Sequence, residues 1–197
     1  KIREWYRILL TMFWLFSAWQ CFADDKQFKI DSLNQIIQTT KSDTILVKAY
    51  MDLDNIIYAS DPKLDKEINI TVLGICNKNL NITSSLTKNE IYFFKKHKGA
   101  ALNNLGVIAK TQGDLDSALY YNQESLLLKV EINDKKGVGN SYINIGSIYH
   151  QKGDLVTALN YYFKCLEVRE SIKDEKGIAT LMINIGAIYH YQDDYTN

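Results

Sequence analysis

Three kinds of side chain in this 197-residue sequence could do chemistry: three histidines, three cysteines, and asparagines that return at a fixed interval. His150 and His190 stand 40 residues apart, so imidazoles from stacked units could face each other as metal ligands. No Cys, Asp or Glu accompanies them at ligand spacing, and Lys110 holds the corresponding earlier place. The pair therefore reads as a polar position, with no metal and no other cofactor expected. Cys76 and Cys165 fall singly on apolar stripes and read as buried thiols rather than a disulfide. No nucleophile, base and orienting group recur at a workable spacing, and no glycine-rich phosphate loop is present, so an enzyme is not expected. The asparagines say more. Asn104, Asn144 and Asn184 each precede a Leu-Gly or Ile-Gly pair. A buried amide must satisfy two donors and an acceptor, so a packed position would not accept one three times over. Two readings stay open and can coexist. Each amide bonds a neighbouring unit and sets the stacking angle, or together they form a ladder that holds the backbone of an extended peptide, with Ser147, His150 and His190 alongside.

The elements that position these residues are written as a repeat. Asn103-Asn104-Leu105-Gly106-Val107-Ile108 aligns with Ile143-Asn144-Ile145-Gly146-Ser147-Ile148 and with Ile183-Asn184-Ile185-Gly186-Ala187-Ile188 in a register of 40 residues without a gap. Leu102, Leu105, Ile108 and Ala109, and likewise Tyr142, Ile145, Ile148 and Tyr149, mark an amphipathic helix in each copy. After Gly113-Asp114 or Gly153-Asp154 a second helix follows, through Leu115, Ala118, Leu119, Asn122 and Leu126 or Leu155, Ala158, Leu159, Tyr162 and Leu166. The unit is a helical hairpin. Gly106 and Gly146 cost about 1 kcal/mol of helix propensity each, so they are expected where a crossing helix, through Ala118 or Ala158, leaves no room for a side chain. Gly113 and Gly153 are expected to end helices with positive φ, and Asp114 and Asp154 to cap the next ones.

Tyr142, Ile145-Gly146, Tyr149, Ala158 and Tyr162 follow the pattern of the tetratricopeptide repeat family, which residues 90–197 resemble. The first copy, with Ala109 and Asn122, lacks two of the aromatics, and the third keeps Met182, Ile185-Gly186 and Tyr189. A period of 40 against the usual 34 or so is similar to the kinesin light chain and Leu-Gly-Asn subgroup and to bacterial sensor arrays, the added length lying around Ile132 to Val138 and Ile172 to Ile178. The resemblance implies an all-α fold, a right-handed solenoid of antiparallel hairpins with two full repeats and the first helix of a third. It implies a concave face for a protein or peptide partner, with Asn104, Asn144 and Asn184 on the peptide backbone. The basic residues that clamp a terminal carboxylate in some members have no clear counterpart. The likeness to sensor proteins implies the input part of a signalling protein, such as a histidine kinase or regulator. A freestanding scaffold for envelope assembly is the alternative.

Balanced charge, 23 basic against 23 acidic residues, argues against nucleic acid, because no basic excess is present to displace counterions from phosphates. Residues 1–23 have the layout of a secretory signal peptide: Lys1, Arg3 and Arg7, an apolar run from Ile8 to Trp19, then Cys21-Phe22-Ala23. An uncleaved anchor is the rival reading, and Trp19-Gln20 are too bulky for a lipoprotein signal at Cys21. Either layout predicts an exported, periplasmic or membrane-associated protein. Residues 24–89 continue the helical signal without the motif: Phe28 to Ile37, Ile45 to Ile57, and a helix opened by Pro62, a degenerate hairpin ahead of the regular repeats. Thr87-Lys88-Asn89-Glu90 spells a capping box. The start on Lys1 and the stop within the third copy suggest a longer reading frame. Ile185, Ile188 and Tyr189 are then expected to lack a partner and to promote self-association.

Overall fold

A computed structural model describes residues 25–58, 60–82 and 85–194, with side chains described as far as residue 190. The proposed signal segment, residues 1–23, lies outside them. Every regular element among the described residues is an α-helix. In order they are α1 (25–39), α2 (Asp43–Ile57), α3 (Pro62–Leu80), α4 (Lys88–Thr111), α5 (Leu115–Glu131), α6 (Lys135–Gln151), α7 (Leu155–Ser171) and α8 (Glu175–Asp194). No helix among the described residues is long and apolar enough to cross a membrane.

Each boundary has a local cause. Ser42, Asp61, Asp114, Asp134 and Asp154 each accept a hydrogen bond from a first-turn N–H of the helix they open, and Thr87 with Glu90 closes the capping box. α4 and α6 end in the same bond pair: Asp114 N–H donates to Ala109 O and Gly113 N–H to Lys110 O, repeated by Asp154 and Gly153. That closure needs positive φ at the next-to-last residue, 81° at Gly113 and 80° at Gly153. The turns between repeats close identically through Asn133 and Lys173, both at φ 56°, where a side chain is carried at some strain. α5, α6 and α7 are 17 residues each. With three-residue turns between them they fill the long period, so the added length beyond Ile132 is helix, not loop.

From α2 onward each helix packs on the next, giving the hairpins α2–α3, α4–α5 and α6–α7 in a row. Val47, Leu53, Ile57, Ile68, Val72, Cys76, Phe94 and Ala101 form one core across the first hairpin and α4, with Ile30, Leu33 and Ile37 of α1 against it. Ala158, Tyr162, Cys165, Leu181, Ile185 and Ile188 form another across α7 and α8. This second core corrects an expectation. Ile185 and Ile188 do not lack a partner: they are buried on α7 of the preceding hairpin, while Tyr189 is exposed as expected and is joined by Met182 and Ile183.

Candidate peptide-binding face

α2 meets α4 and α4 meets α6, a closeness that the second helices α3, α5 and α7 do not match. The first helices therefore line the inner side of the curve. Asn103, Asn104, Val107 and Lys110 of α4 lie here with Asn140, Asn144, Ser147 and His150 of α6, and Ile183, Asn184 and His190 of α8 continue the same register.

The amides are employed between repeats. Asn104 donates to Asp54 Oδ2 at 2.8 Å and to Asn69 Oδ1 at 3.2 Å, reaching back to the first hairpin. Asn144 donates to Asn103 Oδ1 at 3.1 Å, and Lys110 donates to Ser147 Oγ at 2.9 Å, tying α4 to α6. Asn184 makes no side-chain hydrogen bond to any described residue and is half-buried. For Asn104 and Asn144 the stacking reading describes the bonds in place. Asn184 spends none of its hydrogen-bonding capacity on a described residue.

The sequence reading missed the buried cations. The inward residues of α5 are Ala118, Asn122, Ser125 and Lys129, and those of α7 are Ala158, Tyr162, Cys165 and Arg169, so Lys129 and Arg169 occupy one repeat position. Lys129, 7% exposed, donates to Asn103 Oδ1 at 3.1 Å and Ser141 Oγ at 3.0 Å. Burial lowers its ammonium to about 8, with Asp134 acting the other way. Arg169 is fully engaged: Nε on Cys165 Sγ at 3.2 Å, Nη1 on Asp174 Oδ2 at 2.5 Å, Nη2 on Asn140 Oδ1 at 3.0 Å. Lys129, Asn103, Asn104 and Asn140 line a cavity of about 250 Å³ between α4 and α6. A second, of about 230 Å³, lies between the first hairpin and α4, with Asp54, Tyr58, Asn104 and Val107 on its wall. The signal for the cations was the spacing of four, three and four that carries the small-residue stripe onto them.

The other reactive types stay apart. Burial pushes the Cys76 thiol to about 12 and the Cys165 thiol upward, and both are free and buried. Burial, then Lys96, lowers the pKa of His97, whose ring lies 4.3 Å from that of Phe93. No group of three or more His, Cys, Asp or Glu that could hold a metal comes together among the described residues.

Hairpins stacked in one direction, with one helix of each turned inward, define a helical-repeat solenoid, a class that works by presenting an extended surface. Residues 99–134 and 137–197 each match a family model described as Tetratricopeptide repeat, and the chain belongs to that family. It is a protein–protein interaction module. Among solved structures, that of BtubC (BKLC) from P. vanneervenii matches with a TM-score of 0.62 and 15% identity over 86% of this chain. The match spans 65% of that protein, less than two thirds of its length, and the likeness is one of fold. No curated protein matches.

Proposed function

We propose that the inner face of α4, α6 and α8 binds an extended peptide or protein segment, and that the chain is the exported input part of a bacterial signalling protein. The single observation behind the binding face is a row of amides in which Asn104 and Asn144 hold the curvature while Asn184 has its donors and acceptor free of described partners. A peptide backbone offers alternate N–H and C=O groups, which carboxamides match better than charged side chains do. Ser147 and His150 stand beside them, and His190 occupies the next repeat's equivalent of His150. Partner recognition here is by shape and backbone bonds, with no catalytic group required. Export rests on the layout of residues 1–23, and the signalling role on the resemblance to sensor arrays. A scaffold for envelope assembly is the rival reading.

Asn184→Ala tests the face without disturbing a hydrogen bond between described residues. Against peptides selected on an array of random sequence, it is expected to weaken binding about fivefold, near 1 kcal/mol for one hydrogen bond, with an unchanged melting curve. Equal affinity of the variant for every selected peptide would remove Asn184 from the site. Translating the gene past Asn197 separates the larger readings: a membrane span with kinase or DNA-binding motifs supports the sensor, while a few repeats and a stop favour the scaffold.

A further inference from the structure

The first hairpin joins the regular repeats through a polar junction. Asp54 of α2 is 2% exposed, Asp65 and Asn69 of α3 are 7% and 0%, and Asn104 of α4 closes the group. Asn69 Nδ2 stands 2.7 Å from Asp54 Oδ1, 2.7 Å from Asp65 Oδ1 and 2.9 Å from Asp65 O. An amide nitrogen carries two hydrogens, so it cannot serve three acceptors fully. Asn104 spends its own pair on Asp54 Oδ2 and Asn69 Oδ1. The side chains of the junction are one donor short, and a proton on Asp54 supplies it.

The facing side chains supply no cation. From α3 the facing groups are Asp65 and Asn69; from α4, Asn104 with Val107 and Ile108; from α2 and its C-cap, Asn55 and Tyr58. No lysine, arginine or histidine among the described residues pairs with either carboxyl group. Two ionised carboxylates this close and this little exposed would repel each other across one shared NH₂ on the wall of the cavity of about 230 Å³.

We propose that a proton held by Asp54 against Asp65 pins the first hairpin to the repeat array, and that its loss at higher pH loosens α2 and α3 from α4. Burial first, then Asp65, raises the Asp54 carboxyl from 3.8 to about 7. The folded protein therefore holds this proton more tightly than the unfolded chain. The junction is most stable below the unfolded value and loses stability as pH climbs towards about 7. Asn104 belongs to both the junction and the inner face, so the proton also sets one end of that face. The device holds whether or not a peptide is the ligand.

Hydrogen exchange of the whole chain at about pH 6 and pH 8.5, corrected for intrinsic rates, tests it, with the amides of α7 and α8, which make no bond to Lys129, as the internal reference. Protection of α2 and α3 is expected to fall about tenfold relative to that reference at the higher pH. Asp54→Asn keeps the shape and supplies a permanent donor, so the fall should vanish. Asp65→Asn should act alike and serves if the first variant fails to fold. A fall of equal size in the variants, or none in the parent, overturns the proposal. So does a carbon-13 titration of the parent in which both carboxyl groups ionise below about pH 5.

Discussion

Gly146→Val is expected to unfold the α6–α7 hairpin at ordinary temperatures, while Gly186→Ala, at the same repeat position, should be neutral or slightly stabilising. A Cβ on Gly146 would stand 2.6 Å from two ring carbons of Tyr162 and 3.2 Å from the carbonyl oxygen of Ala158. Tyr162 is 1% exposed, so its ring has nowhere to swing, and the carbonyl belongs to a helix backbone. Even alanine here should lose about 1–3 kcal/mol to overpacking, against a gain of at most about 1 in helix propensity. Valine adds two methyl groups to the same clash and should cost several kcal/mol more. Among the described residues a Cβ on Gly186 meets nothing within 4 Å, so alanine there brings only the propensity gain. Denaturant melts of the three variants decide the matter. A Gly146→Ala protein as stable as its parent would show that the two helices do not cross where the structure puts them.

How far the sequence could be read depends on whether the information was local. Helix starts and stops are set by one or two residues, and Asp114, Asp154, Gly113, Gly153 and the Thr87–Glu90 box all do what their types require. The close crossing at Gly106 and Gly146 was legible too, because a glycine inside a helix needs a reason. So were Ala118 and Ala158 on the crossing helix, whose carbonyls face the two glycines, but the side chains that fill the space, Asn122 against Gly106 and Tyr162 against Gly146, were not. Asn122 Oδ1 is left as the one buried side-chain oxygen or nitrogen without a partner among the described residues.

Residues brought together from different helices escaped altogether. Asp54 and Asp65 are separated by a turn, and no spacing rule links a carboxylate on one helix to another on the next. Ile185 and Ile188 read as lacking a partner because the second helix of their own copy is not in the sequence, whereas a solenoid lets the preceding hairpin bury them. The asparagine ladder was legible as a pattern but not as a set of bonds. Neither the bond from Asn104 to Asp54 nor that from Asn144 to Asn103 follows from the 40-residue register.

Lys129 and Arg169 occupy equivalent places and should respond oppositely to the same change. Arg169→Met is expected to cost about 3 kcal/mol, whereas Lys129→Met should be neutral or stabilising. Arg169 is 9% exposed and its guanidinium links three partners. It ties α7 to Asn140 of α6, and to Asp174, which caps α8 by accepting from Gly177 N–H at 3.0 Å. Removing it leaves a half-buried carboxylate without its cation and unlocks the entry to α8, and methionine cannot replace a planar fork of donors. Lys129 has no carboxylate within ion-pair distance among the described residues, only Asn103 Oδ1 and Ser141 Oγ. Its burial is a desolvation cost that two neutral acceptors do not repay, which is why its pKa falls to about 8. The folded state thus binds this proton less tightly than the unfolded chain, so Lys129 costs stability below about pH 8, and the cost fades as pH rises towards 10.5. Methionine keeps the length and removes the charge. Urea melts at about pH 7 should therefore separate the two variants by roughly 3 kcal/mol in opposite senses. The Lys129→Met gain should shrink above about pH 9, where the parent amine is largely neutral. Equal losses in both variants would mean that Lys129 is held by a charge in the fold as firmly as Arg169 is, and that the repeats carry one kind of cation site instead of two.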